Sequence, residues 1–421
     1  MAPPTPCREP FVAEAALRLQ RLPRAAPYPV LACGAYLKNQ AALLLGDELW
    51  WSPLHGDLGT ADAQQALAAS LQALAALARA RGATPAAVAH DRHPDFPSTR
   101  LAVQWAARLG VPALAVQHHH AHLAVVQAEQ GWGLAGDEAP LLGLALDGVG
   151  LGDDGLAWGG ELLRVSGGRM RRLAHLPLLA LPGGDAAARE PWRMAAAVLQ
   201  WLGRPQDIVT ELPARCGVRP EAARVVAQML ARDLHCPRSS GAGRWFDAAA
   251  ALLGLAPLRQ AEAEAAIALE RAATDWLASQ PEPAWTSAAV SAGVEAALDL
   301  RPLFAQLLTL EGPQRAGQGA ALFHLALAQG LVAAAAQAHL APETPARREL
   351  VLAGGCFFNT LLRERLVAGL AAHGLRACLP GPAGCGDAGL AAGQAWAAAL
   401  QLAEAGPAAA SAPPEESFTC A

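Results

Sequence analysis

The stretch Leu141-Leu142-Gly143-Leu144-Ala145-Leu146, which ends in Asp147-Gly148, decides the fold of this chain. A short apolar run that is bounded by turn residues is typical of a buried β-strand. The segments 156–165 and 170–176 follow it and predict a second and a third strand. We interpret the Gly- and Asp-rich segment from Asp147 to Gly155 as the turn that joins the first two of these strands.

The same order of three strands is predicted near the beginning of the chain. Apolar segments at 30–33, 41–45 and 48–51 are separated by Gly34 and by Gly46-Asp47, which are typical turn residues. Few residues are identical between the two regions, but the repeated order predicts an internal duplication at the level of the fold.

The remaining elements alternate between helices and strands. The first region continues with a helix at about 61–80, a strand at 86–89 that ends in His90-Asp91, a helix at about 98–109 and a strand at 111–116. The second region is mostly helical between about 186 and 340, with amphipathic stretches at 189–202, 220–233, 244–254, 261–277 and 316–339. A strand at 350–353, a helix at 359–373, a strand at 375–379 and a helix at 387–404 complete the pattern. This alternation predicts an α/β fold with three layers.

The length of 421 residues is enough for about two to three domains. Residues 1–28 are rich in Pro and Arg and predict a tail or linker. Residues 29–135 form the first predicted subdomain, and residues 139–405 form the second, which includes the helical insertion at about 186–340. Residues 406–421 are composed mainly of Ala, Pro, Ser and Glu and predict a disordered tail.

The composition disfavours several classes of function. The net charge of −5 gives no basic surface for non-specific nucleic-acid binding. No uninterrupted apolar run reaches the roughly 18 residues of a membrane helix, so we expect no membrane partner. The N-terminal residues lack the apolar core of a secretory signal. The eight cysteines form no CxxC pair, which argues against a zinc ribbon and favours reduced thiols in the cytoplasm.

The cluster His118-His119-His120-Ala121-His122 follows the strand at 111–116 and begins a predicted helix at 119–130. Residues four positions apart lie on one face of a helix, so His118 and His122 can hold one metal ion together. The alternative is a cluster that only caps and packs the junction between strand and helix.

Several glycine-rich loops follow predicted strands, where ligands bind in open α/β sheets. The glycines of 147–155, of Trp158-Gly159-Gly160-Glu161 and of Gly354-Gly355 can let a backbone approach a phosphate, a base or a ribose, or can simply form turns. In Gly384-Cys385-Gly386-Asp387, the Asp387 carboxylate is either a helix N-cap or a metal ligand. Arg189 and Arg193 flank Pro191 and fit either a phosphate or a surface ion pair.

Many short blocks in order carry a resemblance to a known family. They are Cys33–Asn39, Ser52–Leu58, Ala89–Asp95, Ser98–Arg100, Val116–His122, Leu146–Gly148 with Trp158–Glu161, Leu181–Asp185 with Arg189–Ala195, Gly243–Asp247, Gly354-Gly355 with Asn359, and Asp387 with Gly393-Gln394. The chain resembles the C-terminal, nucleotide- and metal-binding part of the hydrogenase-maturation carbamoyltransferases, the HypF family. The resemblance covers about residues 10–400.

The resemblance implies an actin/Hsp70/sugar-kinase-like (ASKHA) core with a helical insertion. It implies one metal ion, iron or alternatively zinc, held by His118, His122, Asp147 and Asp387. It implies that ATP or carbamoyl-adenylate contacts Gly148, Gly150, Gly159, Gly160, Asp247, Glu262, Gly354, Gly355 and Asn359. Lys38 and Arg193 are the candidates for catalytic contacts with the carbamoyl group or the phosphate.

The implied reaction moves a carbamoyl group from carbamoyl-adenylate to the C-terminal Cys thiol of the partner HypE, for cyanide ligand synthesis in [NiFe]-hydrogenase maturation. Family members carry upstream domains that form the adenylate, and we expect none in this chain, so either a separate protein supplies the adenylate or the chain forms it by another route. The alternatives are an O-carbamoyltransferase that acts on a small-molecule hydroxyl and a non-catalytic nucleotide-binding scaffold for HypE.

The chain departs from the family pattern at a few positions. Glu262 stands between two alanines where the family has Tyr-Glu-Gly, which weakens its assignment to the ribose. Cys356 and Phe358 replace the commoner Val and Gln, and Gly-Cys-Gly before Asp387 replaces the more usual Pro-Pro-Asn.

Overall fold

The computed structural model describes residues 17–137, 139–283, 297–341 and 346–406. Its strands are β1 (Arg18–Arg21), β2 (Val30–Ala32), β3 (Ala42–Leu45), β4 (Glu48–Trp51), β5 (Ala87–Asp91), β6 (Ala113–Val116), β7 (Leu141–Leu151), β8 (Ala157–Ser166), β9 (Arg169–His175), β10 (Leu179–Ala180), β11 (Arg238–Ser239), β12 (Glu349–Ala353) and β13 (Arg376–Cys378). Its helices are α1 (Ala61–Ala80), α2 (Pro97–Leu109), α3 (His118–Gln130), α4 (Asp185–Arg189), α5 (Pro191–Trp201), α6 (Pro205–Thr210), α7 (Leu212–Cys216), α8 (Pro220–Ala231), α9 (Ala242–Leu252), α10 (Glu264–Leu277), α11 (Arg301–Thr309), α12 (Arg315–Leu340), α13 (Thr360–Ala372) and α14 (Leu390–Ala405). Short 3-10 segments occur at Gly355–Phe358 and Asp387–Gly389.

The chain divides into two compact units. Of the described residues, the first unit contains 17–116, 127–134 and 387–406, and the second contains 117–126 and those between 135 and 386. Helix α3 therefore begins in the second unit and ends in the first.

The first unit is built on a six-stranded sheet in the order β1-β4-β3-β2-β5-β6. Strands β2, β3 and β4 pair antiparallel, and β5 and β6 continue the sheet in parallel with β2. The turn between β3 and β4 is Gly46-Asp47, where Gly46 has a φ of +58° that favours glycine. Leucines of α1 and residues of α2 pack on one face of this sheet and form its core.

The second unit is built on a sheet in the order β10-β11-β8-β7-β12-β13, with β9 also paired to β8. Strands β7, β8 and β9 pair antiparallel, and β12 and β13 continue in parallel with β7. Helices α4 to α12 lie between β10 and β12 in the chain, interrupted by β11, and most of their apolar side chains enter one large core.

The order β4-β3-β2-β5-β6 in the first sheet matches the order β9-β8-β7-β12-β13 in the second. The same directions of pairing recur in both sheets, so the predicted duplication of an α/β core is confirmed. This is the duplicated ASKHA-like core with a helical insertion that the sequence predicted.

The predicted turn from Asp147 to Gly155 is wrong in its first half. Strand β7 continues to Leu151, and the turn is confined to the residues around Gly152 and Gly155. The register shifts inside the strand, because Leu146 pairs with Gly160 and Gly150 pairs with Trp158. Residues 147–149 therefore lie opposite the single residue Gly159, which is a β-bulge.

Two further segments differ from the predicted boundaries. Strand β1 lies inside the segment predicted as a tail, and it pairs antiparallel with β4. Helix α14, which was predicted as part of the second subdomain, packs on β2, β3 and β5 of the first unit. The reason is its apolar surface, since Trp396 is fully buried and its indole N–H donates to Trp132 O at 3.0 Å. Residues 1–16 and 407–421 of the predicted tails lie outside the described residues.

Helix α12 is apolar for a structural reason. Within the described ranges, it is the helix that is long and apolar enough to cross a membrane by length and composition. However, 78% of its most apolar window is buried inside the protein. Leu322, Phe323 and Leu327 all lie in the core of the second unit.

Gly354, at the end of β12, provides a test of this packing. Its φ is +109°, and a Cβ there would overlap Leu146 O. Gly374 has a φ of +72°, but a Cβ there would meet no atom within 4 Å. We expect Gly374→Ala to cost about 1–2 kcal/mol of unfolding free energy through the backbone alone. Gly354→Ala adds the overlap, for which about 1–3 kcal/mol more is expected.

Urea unfolding of the two variants measures this difference. Equal losses of unfolding free energy would contradict the close approach of Gly354 to β7.

Candidate functional site

The Asp147 side chain is the centre of the candidate site. It projects from the bulge in β7, and its Oδ1 accepts a 2.7 Å hydrogen bond from the amide of Gly148. Burial raises the pKa of this carboxyl. Hydrogen bonds from His118 and His122 and the charge of these rings lower the pKa, and together they outweigh the effect of burial. The net pKa lies well below the usual range, so Asp147 is a carboxylate.

His118 and His122 face Asp147 from the first turns of α3. The Nε2 atoms of His118 and His122 lie 3.4 and 3.0 Å from Asp147 Oδ2, and both rings are buried. The two ring centroids are 5.0 Å apart, as expected for residues four positions apart on a helix. The predicted pairing of His118 and His122 on one helix face is confirmed.

The donor atoms of these three residues fit a transition metal. One ligand atom of each of His118, His122 and Asp147 lies within 4.8 Å of the others. Two imidazoles and one carboxylate, with further positions open, form a set that suits iron(II) and also suits zinc. Two imidazole nitrogens lie within 3.4 Å of one oxygen of the Asp147 carboxylate. This arrangement is compatible with a cation that all three side chains bind.

Asp387 directly follows Gly386, the last residue of the second unit. It begins a 3-10 segment of the first unit. The preceding loop is attached to the second unit, because Gly354 N donates to Cys385 O at 3.0 Å.

Gly148 and Gly355 lie beside Asp147, where the Gly148 position leaves space and the Gly355 position is close to the carboxylate. A Cβ built on Gly355 would contact Asp147 Oδ1 at 3.1 Å and no other atom within 4 Å. A Cβ built on Gly148 would meet no atom nearer than Arg244 Nη2 at 4.0 Å. These two predicted nucleotide-binding glycines therefore lie together next to the metal-binding residues, around a space in which a ligand can approach the backbone.

Three other predicted nucleotide-binding glycines have a packing role. A Cβ on Gly150 would lie 2.8 Å from the His118 ring, and a Cβ on Gly160 would overlap Ser240 O. Gly159 has a φ of +153°, and its Cβ would lie 2.6 Å from Asp147 O. The glycines allow the bulge and its neighbours to approach closely.

Glu161 binds the amides of Gly159 and Gly160. It is fully buried, and its Oε1 accepts hydrogen bonds from these two amides at 3.2 and 3.3 Å and from the hydroxyl of Ser240. Its Oε2 accepts a 2.6 Å hydrogen bond from Arg172 Nε. The amides that we predicted to face a nucleotide therefore bind this carboxylate.

Asn359 is the N-cap of α13. Its Oδ1 accepts a 2.8 Å hydrogen bond from Leu362 N. Its Nδ2 lies 2.9 Å from Nε2 of the buried His324, whose Nδ1 lies 2.8 Å from Ala320 O. Burial lowers the pKa of His324 to about 4, so the ring is neutral and Asn359 donates to it. Both ends of the Asn359 amide are engaged within the fold.

Asp247 lies on α9, beside Arg244. Arg244 Nη1 is 2.9 Å from Asp247 Oδ2, and the two side chains are only 12% and 8% exposed. The contact is an ion pair without hydrogen-bond geometry, since Nη1 and Oδ2 are both buried and neither has a hydrogen-bond partner in the part of the chain that the structure describes. Burial raises the pKa of Asp247 to about 6, although Arg244 and Arg259 oppose the shift.

The remaining predicted residues are Glu262, Arg193 and Lys38. Glu262 lies in an exposed turn before α10. Arg193 donates to Glu190 Oε2 at 2.7 Å and to Pro182 O at 3.3 Å. Lys38 lies in the first unit, in an exposed turn where its φ is +46° and its amide donates to Asp57 Oδ1 at 3.0 Å.

Sequence reasoning assigned no role to Glu161, Arg244 or His324. A charged residue inside an apolar strand could have indicated Glu161, because a buried carboxylate requires hydrogen-bond partners. The spacing of Arg244 and Asp247 is that of an ordinary helical ion pair, and the sequence carries no sign that it is buried.

Comparison with known proteins gives the same assignment for both halves of the chain. Residues 25–129 match the family described as the HypF Kae1-like domain. Residues 143–394 match the family described as the second subdomain of the Kae1-like domain of carbamoyltransferases.

Similar proteins extend over most of the chain. The carbamoyltransferase HypF homolog of Cupriavidus necator is 55% identical over 394 residues, which are 91% of this chain and 95% of that protein. Carbamoyltransferase HypF2 of the same organism is 45% identical over 404 residues, and the chain spans only 48% of its length. A full-length HypF in its phosphate- and nucleotide-bound form is 26% identical with a TM-score of 0.76 over 91% of this chain and 57% of that chain. The HypF of T. kodakarensis is 28% identical with the same TM-score over 92% of this chain and 49% of that chain.

Substitution of both histidines tests the candidate metal centre. We expect His118→Ala with His122→Ala to lower the affinity for iron(II) by at least about 10-fold, because two of the ligands are lost. Titration of iron(II) into the purified chain measures this affinity, and circular dichroism confirms the fold.

The matched control is His373→Ala, because His373 lies exposed at the end of α13. Unchanged iron affinity in the double variant would overturn the metal centre.

Proposed function

We propose, because this chain belongs to the HypF family of carbamoyltransferases, that it transfers a carbamoyl group from carbamoyl-adenylate to the C-terminal Cys thiol of a HypE-type acceptor. The resulting thiocarbamate would be the precursor of the cyanide ligands of [NiFe]-hydrogenase. The observation that carries the proposal is the convergence of His118, His122 and Asp147 beside the backbone of Gly148 and Gly355.

The metal in this proposal is iron, with zinc as the alternative. His118, His122 and Asp147 would supply three ligands, and Asp387 would supply a fourth. The support for Asp387 is its place in the chain. It lies two residues after Cys385, whose carbonyl accepts a hydrogen bond from Gly354 N. When bound, the metal would act as a Lewis acid toward a phosphoryl or carbonyl oxygen.

The adenylate would lie with its phosphoryl group in the space beside Gly148 and Gly355. Glycine at both positions allows the backbone to approach this group. The residues proposed to form the nucleotide site remain Gly148, Gly150, Gly159, Gly160, Asp247, Glu262, Gly354, Gly355 and Asn359. Four of these residues would shape the site through their packing and hydrogen bonds within the fold. They are Gly150, Gly159, Gly160 and Asn359. Lys38 and Arg193 stay predictions as contacts to the carbamoyl group or the phosphate.

The transfer itself is a nucleophilic substitution at the carbamoyl carbon. The acceptor thiol loses its proton to solvent, and the thiolate attacks the carbonyl carbon. A C–S bond forms and the C–O bond to the phosphate breaks, so the electron pair and the negative charge stay on the phosphate oxygen of the departing AMP. Hydrogen-bond donors aimed at the phosphate and at the carbonyl oxygen lower the barrier to both changes.

The partners of this reaction are a HypE-type acceptor and a source of carbamoyl-adenylate. We propose a separate adenylate-forming protein as this source. The chain spans about half of the length of carbamoyltransferase HypF2 of Cupriavidus necator and of the HypF of T. kodakarensis. We place the reaction in the cytoplasm, since the six described cysteines are all free thiols.

Mass spectrometry of the acceptor tests the proposal. The chain is incubated with a HypE-type acceptor and with either prepared carbamoyl-adenylate or carbamoyl phosphate plus ATP. We expect the mass of one carbamoyl group on the C-terminal Cys when the adenylate is supplied. Asp147→Asn should slow this transfer by at least about 10-fold, because a ligand carboxylate becomes an amide. Asp233→Asn is the control, since Asp233 is exposed and pairs with Arg238.

The outcomes separate the alternatives. Modification in both arms would mean that the chain also activates carbamoyl phosphate. No modification in either arm would contradict the proposal and favour a small-molecule hydroxyl acceptor or a non-catalytic scaffold.

A further inference from the structure

The first turn of α9 lies directly against the bulge of β7. A Cβ on Gly243 would lie 3.2 Å from Gly148 Cα, and a Cβ on Gly241 would overlap Gly148 O. Glycine at both positions lets the helix begin in contact with the backbone that follows Asp147. The position of Arg244, the next residue on α9, is therefore fixed relative to the metal-binding residues.

Arg244 carries a buried charge that the fold satisfies only in part. Its Nη1 is 2.9 Å from Asp247 Oδ2, but its Nε and Nη1 have no hydrogen-bond partner among the described residues. Burying such donors without partners costs free energy, so native proteins rarely retain them without a ligand or another partner. Asp247 itself is 6% exposed, and its Oδ2 also lacks a hydrogen bond.

The guanidinium borders the open space beside Asp147. Arg244 Nη2 is the nearest atom to the position that a Cβ on Gly148 would take, at 4.0 Å. The thiol of Cys356, which follows Gly355, experiences the charges of Asp147, Arg244 and Asp247 together.

We propose that Arg244 binds the phosphoryl group of the nucleotide at this site, and that Asp247 holds the guanidinium in place. The inference rests on the proposed function and adds a residue to it. A guanidinium offers several N–H donors in a fixed plane, which matches the oxygens of a phosphate. The ion pair with Asp247 keeps the guanidinium beside the start of α9 and leaves its N–H donors available to a ligand.

This assignment also fits the transfer step. When the carbamoyl C–O bond breaks, the phosphate oxygen gains a full negative charge. A guanidinium that is already oriented and desolvated stabilises this charge without reorganisation. Arg244 would therefore contribute both to binding of the nucleotide and to departure of AMP.

Comparison of two ligands that differ by the phosphate tests the assignment. AMP and adenosine are titrated into the full chain by isothermal titration calorimetry. We expect Arg244→Gln to weaken AMP binding by about 10- to 100-fold, as for loss of a charged hydrogen bond. Adenosine binding should change by less than about 2-fold, because adenosine lacks the group that Arg244 contacts. Arg244→Lys keeps the charge and should recover part of the AMP affinity.

Arg204→Ala is the matched control. Arg204 also forms an ion pair with the acid three residues later, Asp207, but its side chain is 42% exposed. This variant should bind AMP as the wild type does.

Three results would overturn the assignment. Equal losses of AMP and adenosine affinity in Arg244→Gln and Arg244→Lys would show that Arg244 only supports the fold. Unchanged AMP affinity in Arg244→Gln would place the phosphate elsewhere. Failure of the wild-type chain to bind either ligand would contradict both this assignment and the nucleotide site of the proposed function. Failure of carbamoyl transfer in a chain that still binds AMP would contradict only the proposed transfer.

Discussion

The arrangement of the site depends on one backbone irregularity, the bulge of residues 147–149 opposite Gly159. A regular strand would send the side chains of consecutive residues to opposite faces of the sheet. The bulge changes this direction locally, so that the Asp147 carboxylate meets two imidazoles of α3 and its own neighbour's amide. The carboxylate is thus positioned by a central strand and the two imidazoles by a helix.

The neighbouring residues are those that the bulge requires. Gly159 and Gly160 allow β8 to pass close to the bulge, and Glu161 satisfies their amides from inside the core. The start of α9 approaches the bulge from another side, with Gly243 in contact with Gly148. The same close approach brings the Arg244 side chain near Gly148, so the bulge determines the position of this charge as well as the packing of α9.

The sequence predicted much of this fold because its main elements are strongly patterned. The apolar run at 141–146 and its counterpart at 30–33 specified two similar sheets, and the spacing of His118 and His122 specified a shared helix face. The bulge could not be predicted, because a segment rich in Gly and Asp is equally typical of a hairpin turn and of an irregular strand. Strand β1 was missed for a related reason, since its four residues Arg18–Arg21 are mostly polar and pair at the edge of the sheet.

The roles of individual residues were harder to predict than their positions. A glycine that makes room for a ligand and a glycine that makes room for another backbone look identical in the sequence. Gly148 leaves space beside Asp147, whereas Gly160 packs against Ser240. Burial separates Arg244 from Arg204 in the same way, because both begin an Arg-x-x-Asp pair and only Arg244 is enclosed. These differences arise from tertiary contacts, which no local pattern reports.

The most direct test of this account is a crystal structure of the chain grown with iron(II) and AMP, with anomalous diffraction data collected at the iron edge. The account predicts one iron peak bound by His118 Nε2, His122 Nε2 and the Asp147 carboxylate. An iron peak at other residues, or no iron peak in crystals that contain AMP, would contradict it.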